Sequence, residues 1–148
     1  IEDFEKDIDS FDLRSDVISL GYVEDETLRW LYQNCFAFVY PSFFEGFGLP
    51  VLEAMTLGAP VITSNVSSIP EIAGDAGILI DPLHEQELFQ AMRRLAEDAP
   101  YRIELQQKGL RQAAHFSWSA TASRVLELYQ KAQRQKPRAT ARISPEGI

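Results

Sequence analysis

Glu45 and Glu53 are the residues of this 148-residue chain best placed to do chemistry. Seven residues separate them, and the stretch between begins Gly46-Phe47-Gly48-Leu49-Pro50. Upstream, Cys35-Phe36-Ala37-Phe38-Val39-Tyr40 is a continuous apolar run that reads as a buried strand. Downstream, Val51 to Leu57 reads as a helix, and Pro50 suits its first turn, where a missing N–H costs nothing. Strand, glycine-containing loop and helix start make an anion site from backbone N–H groups and the helix dipole. Glu45 stands at the mouth of the strand, where a carboxylate can accept hydrogen bonds from sugar hydroxyls. Glu53 is expected in the first helical turn, leaning back toward the same mouth, where it could hold a vicinal diol bidentately. Gly46 and Gly48 let the backbone come close to a ligand. These are the parts a nucleotide sugar needs: N–H donors for the diphosphate, a carboxylate for the ribose and polar groups for the sugar. Taken singly, each acid has a plainer explanation. Glu53 as a first-turn acid is worth a few tenths to ~1 kcal/mol against the dipole, and Glu45 could be a solvated loop acid.

An alternation of strands and helices must position these groups. Val17 to Leu20 reads as a strand ended by Gly21, and Asp25 to Asn34 as a helix with Leu28, Leu31 and Tyr32 on one face. Strands are expected over Cys35 to Tyr40, Pro60 to Thr63 and Gly77 to Ile80, with a helix over Leu49 to Leu57 and a short turn over Ser68 to Ala73. Glu85 to Ala96, Tyr101 to Ala114 and Ser119 to Gln133 read as three closing helices. The pattern predicts an α/β fold, a Rossmann-like parallel sheet with helices on both faces. Such sheets bind ligands at the carboxyl ends of their strands, so Ser42 with Glu45, and Thr63 with Ser64, should share one rim. Thr63 could reach a sugar or phosphate there, although Ser and Thr also cap helices and turns.

Composition narrows the function classes. Apolar residues make up 45% of the chain and the net charge is -8, which disfavours nonspecific nucleic-acid binding. The basic end, with Lys131, Arg134, Lys136, Arg138 and Arg142, could touch anionic headgroups, though a solvated tail is the simpler reading. Cys35 is the lone cysteine and lies in an apolar run, as a small core residue would. His84 falls in a turn and His115 at a helix end. Neither belongs to a cluster with metal-ligand spacing, so no metal site is expected. No signal peptide or membrane-spanning stretch is legible.

The segment Pro41-Ser42-Phe43-Phe44-Glu45-Gly46-Phe47-Gly48-Leu49-Pro50-Val51-Leu52-Glu53 resembles the signature of the retaining GT-B glycosyltransferases of family 4, the group 1 glycosyltransferases. The similarity continues through Gly58-Ala59-Pro60-Val61-Ile62, Ile69-Pro70-Glu71-Ile72 and Gly77-Ile78-Leu79-Ile80, and runs from about Val17 to Tyr129. Ser67-Ser68 stands where the family often has a glycine pair before its Pro-Glu. The resemblance implies that residues 1–136 are part of a C-terminal, nucleotide-sugar-binding Rossmann-like domain, followed by a poorly structured tail over 137–148. The first strands of that domain and the acceptor-binding domain are then expected outside these residues.

The implied reaction moves a sugar from a nucleotide sugar to an acceptor hydroxyl. Glu45 would orient the donor sugar, Glu53 would hold the ribose, and Ser42, Gly46, Phe47, Gly48 and Leu49 would contact sugar and diphosphate. Tyr22 and Val23 would lie beside the nucleobase. The resemblance further implies metal-independent, cofactor-free transfer, with a saccharide or lipid-linked acceptor bound through the other domain. It places the protein in the cytoplasm, working in surface-polysaccharide assembly, with peripheral membrane contact left open. The family's diphosphate-binding Arg and Lys have no matching position here, so the fragment alone is expected to be inactive. A nucleotide-sugar epimerase or hydrolase of GT-B fold and a nonenzymatic GT-B-like scaffold stand as alternatives.

Overall fold

The structure, a computed structural model, describes residues 2–135. The elements in chain order are α1 (Glu2–Ser10), α2 (Asp25–Asn34), β1 (Phe38–Tyr40), α3 (Leu49–Thr56), β2 (Val61–Ser64), α4 (Ile69–Ala73), β3 (Gly77–Ile80), α5 (Glu85–Glu97), α6 (Ala99–Ala113) and α7 (Trp118–Gln135). The sheet is parallel in the order β1-β2-β3, with Tyr40 opposite Thr63 and Ser64 opposite Ile80. The expected tail over 137–148 lies outside the described residues.

Alternation along the strands divides the core between the two faces of the sheet. On one face, Phe38, Tyr40, Val61 and Leu79 pack with Val51, Ala54 and Met55 of α3, Ile69 and Ile72 of α4, and Ala113 of α6. On the other, Val39, Ile62, Ile78 and Ile80 pack with Leu88, Ala91 and Leu95 of α5 and with Tyr101. The period of two in a strand makes this division inevitable once β2 is buried on both sides. All four residues of β2 are buried.

Several boundaries differ from the sequence expectation. Val17 to Leu20 is not a strand, and Ile18 and Leu20 stand exposed. A strand requires a ladder partner for its N–H and C=O groups, and these residues pair with none of the three strands. The run from Cys35 is strand only over its last three residues. α6 begins two residues before the expected Tyr101, because the Asp98 carboxylate accepts the Tyr101 N–H at 2.9 Å and Pro100 occupies the first turn.

Candidate functional site at the carboxyl end of the sheet

The loop from Pro41 to Gly48 leaves the carboxyl end of β1 and is held from behind by hydroxyls. Thr63 Oγ1 donates to the Tyr40 carbonyl at 2.8 Å, and Ser64 Oγ donates to the Ser42 carbonyl. Ser68 Oγ lies 3.0 Å from the carbonyls of both Glu45 and Phe47. Thr63 and Ser64 are fully buried. Thr63 therefore stands behind the loop, its hydroxyl spent on the strand end, and presents no surface to a ligand. Ser68, in the pair that departs from the family's glycines, replaces backbone freedom with a side-chain tether.

Gly48 ends the loop at φ +101°, a region other residues avoid, and caps α3. A Cβ there would lie 2.6 Å from Ile69 Cδ1. Its carbonyl accepts from Val51 and Leu52. By contrast, the N–H groups of Gly46, Phe47, Gly48 and Leu49 have no acceptor among the described residues. Donors left over at a helix N-terminus are what an anion requires.

The two acids have different surroundings. Glu45 is half-buried, and its Oε1 accepts the Tyr40 hydroxyl at 2.5 Å and lies 3.0 Å from Ser42 Oγ. That hydrogen bond, with burial second, raises the Tyr40 phenol above its ordinary value. Glu53 is exposed and opens the second turn of α3 rather than lying in its first. The first-turn dipole explanation therefore loses force, since the effect falls off within one turn. Glu53 borders a groove of about 650 Å³ whose wall includes Phe47, Leu49, Leu52, Phe116, Trp118, Arg29 and Arg124. A smaller hollow of about 220 Å³ adjoins Glu53 on the α2 side, beside Tyr32. Burial first, and the charge of Glu53 second, raise the Tyr32 phenol.

The structure brings Glu53, Phe47 and Leu49 to one groove, with Glu45 and Ser42 on the adjoining loop. Gly46 is exposed, while Tyr22 is 87% exposed and Val23 half-buried, and neither of these two lines the groove. The sequence reading missed Arg29, Arg124, Phe116 and Trp118. The only local signal for any of them is the aromatic pair flanking Ser117, and Phe116 meets the Phe47 ring edge-on at 6.1 Å. Arg29 and Arg124 have no acid partner among the described residues, so the groove carries positive charge that no motif announced.

The remaining candidates are structural. His84 pairs with Asp81 at 3.3 Å on the surface. Burial raises the Cys35 thiol, which donates to the Tyr32 carbonyl at 3.5 Å. Glu71 is an exposed acid in the first turn of α4. An Asp-x-Asp triplet, Asp7-Ile8-Asp9, lies on α1, with Asp9 held by Arg14 at 2.6 Å and Ile8 buried. Among the described residues no group of acids, histidines or cysteines could hold a metal ion. No described helix is long and apolar enough to cross a membrane.

A parallel sheet flanked by helices, with N–H groups unpaired among the described residues and carboxylates at its carboxyl end, is an α/β domain of the open parallel-sheet class, whose ligand sites lie at the strand ends. The pattern of the family Glycosyl transferases group 1 matches residues 2–112, and the chain belongs to that family. It is 46% identical over 110 residues to O-antigen chain mannosyltransferase B of Escherichia coli, covering 74% of this chain and 29% of that protein. It is 40% identical over 114 residues to the serotype-specific mannosyltransferase WbdA of Escherichia coli, covering 77% of this chain and 14% of that protein. Among solved structures, sucrose-phosphate synthase from Thermosynechococcus elongatus superposes with a TM-score of 0.79 at 29% identity, covering 88% of this chain and 34% of that one. The chain thus spans less than a third of the two mannosyltransferases.

Proposed function

We propose that this chain is the donor-binding part of a retaining glycosyltransferase of family 4, which moves a hexosyl group from a nucleotide sugar to an acceptor hydroxyl. The observation that carries the reading is the row of four unpaired N–H groups, Gly46 to Leu49, flanked by Glu45 and Glu53. Those donors suit the diphosphate, whose negative charge grows as the glycosidic bond breaks. Glu45 accepts hydrogen bonds from the donor sugar, and Glu53 accepts from the ribose diol. The guanidinium groups of Arg29 and Arg124 add positive charge to the groove that Glu53 borders. Two mannosyltransferases among the relatives support mannose as the sugar.

Attack comes from the face the leaving group departs, within an oxocarbenium-like ion pair, and the anomeric configuration is retained. Glu45 and Glu53 do not act as the acid and nucleophile of a glycosidase, whose paired carboxylates flank the scissile bond. The acceptor, a saccharide or a lipid-linked one, binds through a domain outside this chain. The isolated chain therefore does not turn over.

The test is a transfer assay on the full-length protein with nucleotide-activated mannose, with the product's anomeric configuration read by NMR. An inverted product refutes retention. Hydrolysis of the donor that no acceptor stimulates favours the epimerase or hydrolase class instead. A thermal-shift panel of nucleotide sugars names the base, since a ligand at ~100 times its dissociation constant adds ~2.7 kcal/mol.

A further inference from the structure

Glu45 is the acid assigned to the donor sugar, yet one of its two oxygens is already occupied. Oε1 takes the Tyr40 hydroxyl at 2.5 Å and sits 3.0 Å from Ser42 Oγ, whereas Oε2 has no partner among the described residues. Of these two groups, Tyr40 belongs to the strand and Ser42 to the first residues of the loop that follows it. Tyr40 is the last residue of β1, and its ring stacks on Phe38 at 5.8 Å with an interplanar angle of 15°. The carbonyls of Tyr40 and Ser42 are fixed by Thr63 and Ser64, both fully buried on β2. The carboxylate is thus tied to the sheet through the Tyr40 hydroxyl, while its own backbone lies in a loop. Ser42 Oγ, 3.0 Å from both Glu45 Oε1 and the Phe44 carbonyl, backs it from within that loop. A free glutamate must lose its rotamer freedom when it engages a ligand. Here that freedom is lost before any donor arrives, which is preorganisation.

We propose that Tyr40, backed by Ser42, is a positioning residue that fixes Glu45 so that Oε2 is the oxygen presented to a hydroxyl of the donor sugar. This rests on the reading of Glu45 given above. Tyr40 touches no reacting atom and acts only through the acid.

The test is a double-mutant cycle on the full-length protein, with kcat and donor KM measured for wild type, Tyr40→Phe, Glu45→Ala and the double variant. Phenylalanine keeps the ring and removes only the hydroxyl. The expected result is a roughly tenfold loss of kcat for Tyr40→Phe with KM nearly unchanged, and no further loss when the same change is made in Glu45→Ala. A merely structural tyrosine would cost the same in both backgrounds, and that result overturns the proposal. A Tyr40→Phe protein of wild-type kcat beside a crippled Glu45→Ala overturns it too, leaving the role of Glu45 intact. Full activity in Glu45→Ala refutes the role of Glu45 and the positioning role with it. If Tyr40→Phe does not fold, Ser42→Ala completes the cycle, with a smaller loss that must also vanish in Glu45→Ala.

Discussion

Gly48 gives the sharpest test of how the loop is built. Two independent costs meet there when it is changed to alanine. Its backbone sits at φ +101°, where a Cβ is strained; left-handed backbone costs an L-residue roughly 1–2 kcal/mol. The added methyl would also lie 2.6 Å from Ile69 Cδ1, and Ile69 is fully buried at the start of α4. Overpacking of that kind costs ~1–3 kcal/mol. Because Cδ1 is the free end of its side chain, part of that is relieved by rotation. The expected total is about 2–4 kcal/mol, or a melting temperature lower by about 6–12 °C for a chain of this length. Urea unfolding of Gly48→Ala beside Gly46→Ala measures it. Gly46 has negative φ and open space around its Cβ position, so its change should stay within about 0.5 kcal/mol. Ile69→Val removes Cδ1 and separates the two costs. In that background Gly48→Ala should cost only the backbone share of ~1–2 kcal/mol. Equal losses at Gly46 and Gly48 would refute the whole account. An undiminished loss in the Ile69→Val background would refute the steric half alone.

Glu53→Ala in the full-length protein should weaken donor binding by about tenfold to a hundredfold, from charge-assisted hydrogen bonds worth ~1.5–3 kcal/mol; unchanged affinity in calorimetry would count decisively against the ribose role. Thr63→Val should destabilise the fold by ~1–3 kcal/mol, since it leaves the Tyr40 carbonyl without its 2.8 Å donor in a buried site; an unchanged urea midpoint would show that the carbonyl finds another partner. Tyr32 and Tyr40 both hold their phenol pKa above the ordinary 10.0, so folding favours their protonated forms. Their contribution is complete below pH ~10 and is lost as pH rises through the raised values. The urea midpoint should therefore fall above pH ~10, and fall less steeply in Tyr40→Phe; a flat alkaline profile would contradict the sign.

The local order of the chain was legible because it rests on nearest neighbours in sequence. Asp25–Asn34 and Gly77–Ile80 lie where periodicity and glycine punctuation place them, and Pro50 with Gly48 marks the start of α3. The strand–loop–helix junction with its glycines was equally visible, because a glycine at positive φ and a proline in a first turn are demands of the backbone itself. What the sequence could not decide were partners distant along the chain. Val17 to Leu20 has strand composition but no ladder to join, and a strand exists only through its neighbour. Thr63 looked available to a ligand. Tertiary packing turned its hydroxyl to a carbonyl 23 residues upstream, because a buried polar group must be satisfied where it lies. The division of labour at Glu45, one oxygen clamped and the other left open, depends on β1 and the loop folding back on each other. Arg29, Trp118 and Arg124 reach the groove beside Glu53 from elements far apart in sequence. Only the folded backbone brings them together, since no local spacing rule links residue 29 to residues 53 and 124.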